Sequence, residues 1–107
     1  MPQRSGLFDR EITIEVNTPT RDAIGGTVDS WATFQSVWAQ VIPVKGEEIL
    51  KFSREVSGEV NRFTFHYVAG VLNEHRIVYE GENWNILFIR EIRRREALEV
   101  TAERERP

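Results

Sequence analysis

The side chains that most often carry chemistry are sparse in this chain and badly spaced for it. Its two histidines are His66 and His75. His66 alternates to the polar side of an extended segment and His75 stands beside a turn. Neither has a second ligand at a metal-binding spacing such as H-x-x-x-H, so both read as surface or interface side chains. Acid pairs occur at Glu47/Glu48 and Glu80/Glu82. Paired carboxylates run acid–base chemistry when a pocket drives their pKa values apart. Here the first pair reads as charge at a helix start and the second as part of a hairpin turn, so both are expected in water. Ser5, Ser30, Ser36, Ser53 and Ser57 lack a nucleophile-elbow context. Gly25-Gly26 lacks either phosphate-cradling glycine pattern and reads as loop flexibility. The chain has no cysteine, which excludes disulfides, Cys-ligated zinc, iron–sulfur clusters and thiol nucleophiles. No enzyme activity, metal or cofactor is expected.

What remains is binding. The densest basic run is Arg90-Glu91-Ile92-Arg93-Arg94-Arg95-Glu96. With the aromatic segment nearby, Arg62, Phe63, Phe65, Tyr67, Arg93 and Arg94 would suit a small barrel that stacks nucleobases. Two acids interrupt the run, however, and the whole chain carries a net charge of −3, which gives no pull toward nucleic acid or anionic membrane. The arginines then read as a polar strand end, or as partners for a neighbouring subunit's acids. Of the three tryptophans, Trp38 and Trp84 read as core. Trp31 borders a loop and is the candidate contact residue.

The elements that must position these residues are mostly strands. Ile12, Ile14 and Val16 alternate with Glu11, Thr13 and Glu15, as in a strand with one wet face. Asn17 to Ser30 is loop-like, with Pro19, Asp22, Gly25, Gly26 and Asp29. In the stretch Trp31 to Val44, Val37, Ala39 and Val41 share one face while Trp38, Gln40 and Ile42 share the other. Lys45 to Glu59 departs from period two: Ile49, Phe52 and Val56 make a helical stripe, Glu47 and Glu48 sit at its start, and Gly58 ends it. Period two returns with Phe63, Phe65 and Tyr67. Arg76–Tyr79 and Trp84–Ile92 are joined by Glu80-Gly81-Glu82-Asn83 in a hairpin, with Trp84, Ile86 and Phe88 on one face. A last strand, Ala97–Ala102, points Leu98 and Val100 inward, and the polar tail 103–107 is expected to fray.

These segments predict an all-β fold: about six strands in an antiparallel meander curled into a small barrel or sandwich, with a long, partly helical excursion between the second and third. The 107 residues, 40% hydrophobic and 29% charged, fit one globular domain with one modest core. Its expected parts are a flexible N-terminus at about 1–9, a loop at 17–30, the excursion at 45–59 and the frayed tail. The first ten residues lack the apolar centre of a signal peptide, and no run approaches the ~18 apolar residues of a membrane span. Synthesis and assembly in the cytoplasm are expected.

The order of several short motifs resembles a known family. Gly6-Leu7 precedes Arg10-Glu11-Ile12-Thr13-Ile14. Gly25-Gly26 leads to Trp31, then to Val37-Trp38-Ala39-Gln40-Val41-Ile42-Pro43 and Gly46-Glu47-Glu48. Phe63-Thr64-Phe65-His66-Tyr67, Arg76-Ile77-Val78-Tyr79-Glu80-Gly81, Trp84-Asn85-Ile86 and Leu98-Glu99-Val100 follow. This resembles the head–tail joining (head-closure, or stopper) proteins of long-tailed bacteriophages and prophages. The resemblance implies a small β-barrel subunit of the virion neck, assembled in the host cytoplasm. Copies would be monomeric in isolation and form a dodecameric ring in the virion, with the portal and adaptor above and tail components below. Packaged DNA would pass through without specific binding. It further implies a channel or gating role for the excursion, carried by Lys45, Glu47, Glu48, Ile49, Phe52 and Val56. Subunit or neck contacts are expected at Gly25, Gly26, Trp31, Arg93, Arg94 and Arg95. A tail-completion or terminator subunit is the near alternative, and a nucleic-acid-binding small barrel the more distant one.

Overall fold

The structure, a computed structural model, describes residues 8–44 and 59–105. Eight strands run in chain order: β1 (Arg10–Asn17), β2 (Thr20–Arg21), β3 (Thr27–Val28), β4 (Trp31–Pro43), β5 (Val60–His66), β6 (Arg76–Tyr79), β7 (Glu82–Ile92) and β8 (Ala97–Arg104). Six of them close into an antiparallel barrel in the order β1-β4-β5-β8-β7-β6, while β2 and β3 form a separate two-stranded ribbon. None of the described residues is helical. The helical turns expected within Lys45–Glu59 fall on 45–58, outside the described residues.

The expected all-β barrel is thus present, but it is not a simple meander. β1-β4-β5 and β6-β7-β8 are two three-stranded units, sewn together by the pairings of β5 with β8 and β1 with β6. Closure leaves only short free edges, which suits a small sheet in water. It also places β5 and β6 on opposite sides of the barrel. The connection between them, residues 67–75, therefore crosses one open end, and its Tyr67, Val68 and Val71 pack against the core there.

Alternation dictates the interior. Ile12, Ile14, Val37, Ala39, Phe63, Phe65, Ile77, Trp84, Ile86, Leu98, Val100 and Ala102 form one buried cluster. Phe63 lies at its centre, edge-on to Trp84 (5.6 Å between centroids) and to Tyr79 (5.7 Å). Three expectations shift. His75, expected at the surface, is buried (5% exposed), its Nδ1 accepting from Leu72 N–H (3.2 Å). Phe88 does not share the inner face with Trp84 and Ile86: a register irregularity between Ile86 and Phe88 turns it outward, where it is 40% exposed. Trp38 sits half-buried on the outer face opposite Glu11, outside the core cluster, because Val37 and Ala39 take the inward positions.

The β6–β7 turn is tighter than the four residues expected for it. Tyr79 pairs with Glu82, so only Glu80 (φ 52°) and Gly81 (φ 76°) lie between the strands. Two consecutive left-handed residues match the twist of a hairpin, and glycine fills the second position without strain. The last strand also runs further than expected, through Arg104, and Glu105 N–H donates to the Asn83 carbonyl (2.8 Å). The strand thus overlaps the start of the tail expected at 103–107, of which 106–107 lie outside the described residues.

Candidate functional site

The strand directions sort the candidate residues to opposite ends of the barrel. One end, the upper, gathers the C-terminus of β1, the N-terminus of β4, the 67–75 crossover and the β7–β8 turn. The lower end gathers the start of β1, Pro43–Val44, Glu59–Val60, the β6–β7 turn and the end of β8.

At the upper end, the expected loop 17–30 is largely structured. Asn17 ties its base: its Nδ2 donates to Asp29 Oδ1 (3.1 Å), and Ser30 N–H donates to Asn17 Oδ1 (3.0 Å). Thr20↔Val28 and Arg21↔Thr27 pair as β2 and β3. Asp22 organises the tip, its Oδ1 accepting from Ile24 N–H (3.1 Å) and Gly26 N–H (2.7 Å). Gly25 has φ +86°, and a Cβ on Gly26 would stand 2.9 Å from Asp22 Oδ2. Gly25-Gly26 thus lies in a hydrogen-bonded turn. It holds Ile24 out in solvent, 93% exposed.

Trp31, the candidate contact residue, is engaged within the barrel wall while remaining partly exposed. It is half-buried, and the Arg76 guanidinium lies 4.1 Å over its ring. Arg76 Nε also donates to Glu15 Oε1 at 2.8 Å. Register explains the trio: Glu15 pairs with Arg76 across β1–β6, and Asn17 pairs with Trp31 across β1–β4, all on the outer face.

Arg93, Arg94 and Arg95 make the β7–β8 turn with φ of 48°, 45° and 70°. Three successive non-glycine residues in the left-handed region cost roughly 1–2 kcal/mol each. The turn is held by Glu96 N–H donating to the Ile92 carbonyl (3.2 Å) and Tyr67 N–H donating to the Glu96 carbonyl (3.1 Å). All three arginines are exposed. Arg93 approaches Glu96 (3.7 Å), and Arg95 lies 5.9 Å from the Tyr67 ring.

The lower end holds a groove of about 450 Å³, lined by Arg10, Val41, Pro43, Val60, Asn61 and Tyr79 among others. Val44 and Glu59, the flanks of the segment 45–58, stand at its edge. Lys45, Glu47, Glu48, Ile49, Phe52 and Val56 lie outside the described residues. Burial, reinforced by the Glu80 carboxylate, raises the Tyr79 phenol above its ordinary value of 10.0. Asp9, Glu59, Glu80, Glu82 and Glu105 are exposed at this end, beside Arg10 and Arg104, which approach Glu80 (3.9 Å) and Glu59 (3.2 Å).

No described cluster of three His, Cys, Asp or Glu side chains could hold a metal. The aromatic residues named for the nucleic-acid reading do not form an exposed stacking face, because Phe63 and Phe65 are fully buried and Tyr67 packs against the core. Sequence reasoning missed the Glu15–Arg76–Trp31 trio and the groove. The alternation of β1 could have signalled Glu15 as outward, but its partner on β6 follows only from ring closure.

The described residues form a closed antiparallel barrel whose two ends carry different side chains. The sequence profile of the phage head completion protein family matches residues 4–105. The chain belongs to that family and is a bacteriophage-type structural virion protein. In fold it is similar to the solution structure of protein SF1141 from Shigella flexneri 2a (TM-score 0.74, 23% identity, covering 95% of this chain and 96% of that one). It is also similar to a chain of the virion of a native gene transfer agent particle (TM-score 0.65, 22% identity, covering 95% and 98%). No curated protein matches the sequence.

Proposed function

We propose that this chain completes the filled head as a neck subunit, joining head to tail and closing the DNA channel after packaging. The observation that carries the reading is the two-ended barrel. A subunit in a neck must present different surfaces to the components above and below it and to its own copies. Here the ribbon and arginine turn occupy one end, and the groove with the roots of segment 45–58 occupies the other. The family match and the virion neighbour support the same reading. Copies assemble on the head as a dodecameric ring and are monomeric beforehand, since a ring formed early would obstruct packaging. Lys45–Glu59 faces the channel in this proposal, and DNA passes without being gripped, in keeping with the net charge of −3.

The test is complementation in vitro. Purified protein is added to DNA-filled heads that lack it, followed by separately purified tails, and infectious particles are counted. A rise in titre that requires adding the protein to the heads first supports head closure. A rise that requires adding it to the tails first moves the chain to tail completion. No rise in either order overturns both.

A further inference from the structure

β7 runs from Glu82 to Ile92, but β6 pairs only with Glu82 to Asn85. From Ile86 to Ile92 the strand has β8 as its single partner among the described residues. The Ile92 carbonyl accepts from Glu96 N–H (3.2 Å), so Ile92 turns its backbone groups toward β8. Successive residues of an antiparallel ladder alternate sides. Arg90 therefore also faces β8, while Ile89 and Glu91 turn their N–H and C=O the other way, past the end of β6. No hydrogen bond among the described residues takes these groups. The 67–75 crossover, which spans this end of the barrel, directs its own groups elsewhere. Tyr67 N–H donates to the Glu96 carbonyl, His75 N–H to the Leu72 carbonyl, and Leu72 N–H to His75 Nδ1.

An open edge of this kind is a template for another extended chain. Backbone in the β conformation offers donors and acceptors at the matching spacing, so the edge selects a strand over a helix or a small molecule. Its side chains narrow the choice. Ile89 lies on the inner side and packs against the core; Glu91 follows on the same side, exposed and with no ion pair among the described residues. A strand bonded to both places an apolar side chain against Ile89 and a basic one against Glu91, two positions apart. Its intervening residue sits opposite Arg90 and diagonal to Phe88, which the irregularity in β7 turns outward at 40% exposure. The same edge of a second copy fits badly. The symmetric register that uses Ile89 and Glu91 of both copies sets Arg90 directly opposite Arg90, and like charges so placed repel.

We infer that the Ile89–Glu91 edge of β7 receives an extended segment of a different virion protein by strand addition. That segment carries an apolar residue and a lysine or arginine two positions apart. Main-chain hydrogen bonds to Ile89 and Glu91 hold it, and the alternate side chains select it. The inference gives the chemistry of one partner of the proposed neck subunit and rests on that reading.

The probe is a short synthetic peptide with valine and lysine two positions apart between threonines, added to the intact protein and followed by amide NMR. In the free protein the Ile89 and Glu91 amides should exchange with solvent at least about tenfold faster than that of Arg90. Equal protection at the three positions would show an edge already bonded and overturn the proposal. With peptide, the Ile89 and Glu91 amides should shift saturably and become protected. Methylating the backbone nitrogen of the valine or the lysine, which face β7, should weaken binding several-fold. Methylating that of the threonine between them, which faces solvent, should not. Equal losses from both, or shifts confined to other residues, would overturn strand addition. Protection that grows with protein concentration and needs no peptide would assign the edge to a second copy and overturn it too. Glu91→Lys should prefer a peptide with glutamate in place of lysine and should lower the titre of completed heads several-fold. A folded Glu91→Lys protein that rejects the lysine peptide yet completes heads at the parent's titre would overturn the virion partner. Failure of the peptide with a parent protein that completes heads sinks this edge alone. Peptide binding by a protein that does not complete heads sinks the functional reading alone.

Discussion

The guanidinium of Arg76 stacks over the indole of Trp31, 4.1 Å from the ring centroid. Its Nε is held at the same time by the Glu15 carboxylate at 2.8 Å. Both carboxylate and guanidinium are shielded, with side chains 20% and 17% exposed. This trio pins the β4 end of the β1–β4 pair to β6, where the barrel closes. Arg76→Lys should therefore cost stability, because an ammonium keeps the charge but loses the planar stack. A loss of about 1 kcal/mol by urea denaturation is expected, and Trp31→Ala in the Arg76→Lys background should cost less than Trp31→Ala alone. Additive losses would show that the stack contributes nothing.

Phe63 touches Trp84 and Tyr79 edge-on and has no exposed surface. Phe63→Ala should cost about 3–5 kcal/mol, since so small a core cannot close over the cavity. That is a large part of the stability of a single domain. Thermal unfolding should fall sharply or the variant should not fold. Phe88→Ala, on the outer face, should cost far less.

The turn Glu80-Gly81 has both residues left-handed. Asparagine tolerates that region better than glutamate. Glu80→Asn should raise stability by about 0.5–1 kcal/mol in chemical denaturation, less whatever the Arg10–Glu80 pair contributes. A loss of stability would mean that this ion pair outweighs the backbone strain.

Tyr79 titrates above its ordinary value, chiefly through burial and then through Glu80. A phenol whose folded pKa is raised binds its proton more tightly in the folded state. Its contribution is therefore fully present below the unfolded value of 10.0 and is lost as pH rises through the higher folded value. Stability should decline on the alkaline side from about pH 10. Tyr79→Phe should flatten that decline while leaving the acid side unchanged.

Alternation made the β class and most of the core legible in the sequence. Ile12, Ile14, Val37, Ala39, Phe63, Phe65, Trp84, Leu98 and Val100 all lie inside as period two requires. The misplaced side chains trace to specific events. The irregularity between Ile86 and Phe88 reverses the face of Phe88 with no glycine or proline to announce it. The β1–β6 pairing that makes the barrel joins residues more than fifty positions apart, and no local pattern encodes such a contact. Of the candidate contact residues, Arg93–Arg95 are exposed in the β7–β8 turn. Gly25 and Gly26 shape a bonded turn, and Trp31 is engaged with Arg76. The role of Asp22 in ordering that turn was legible only as a loop-forming composition, because its hydrogen bonds depend on the folded backbone.

The central claim is that this protein completes the head and joins it to the tail. Its most direct test is to delete the gene from the phage or prophage that carries it, induce, and image the particles by electron microscopy. Full-length tails beside tailless heads that lose their DNA are the predicted result. Complete particles with normal tails would contradict it.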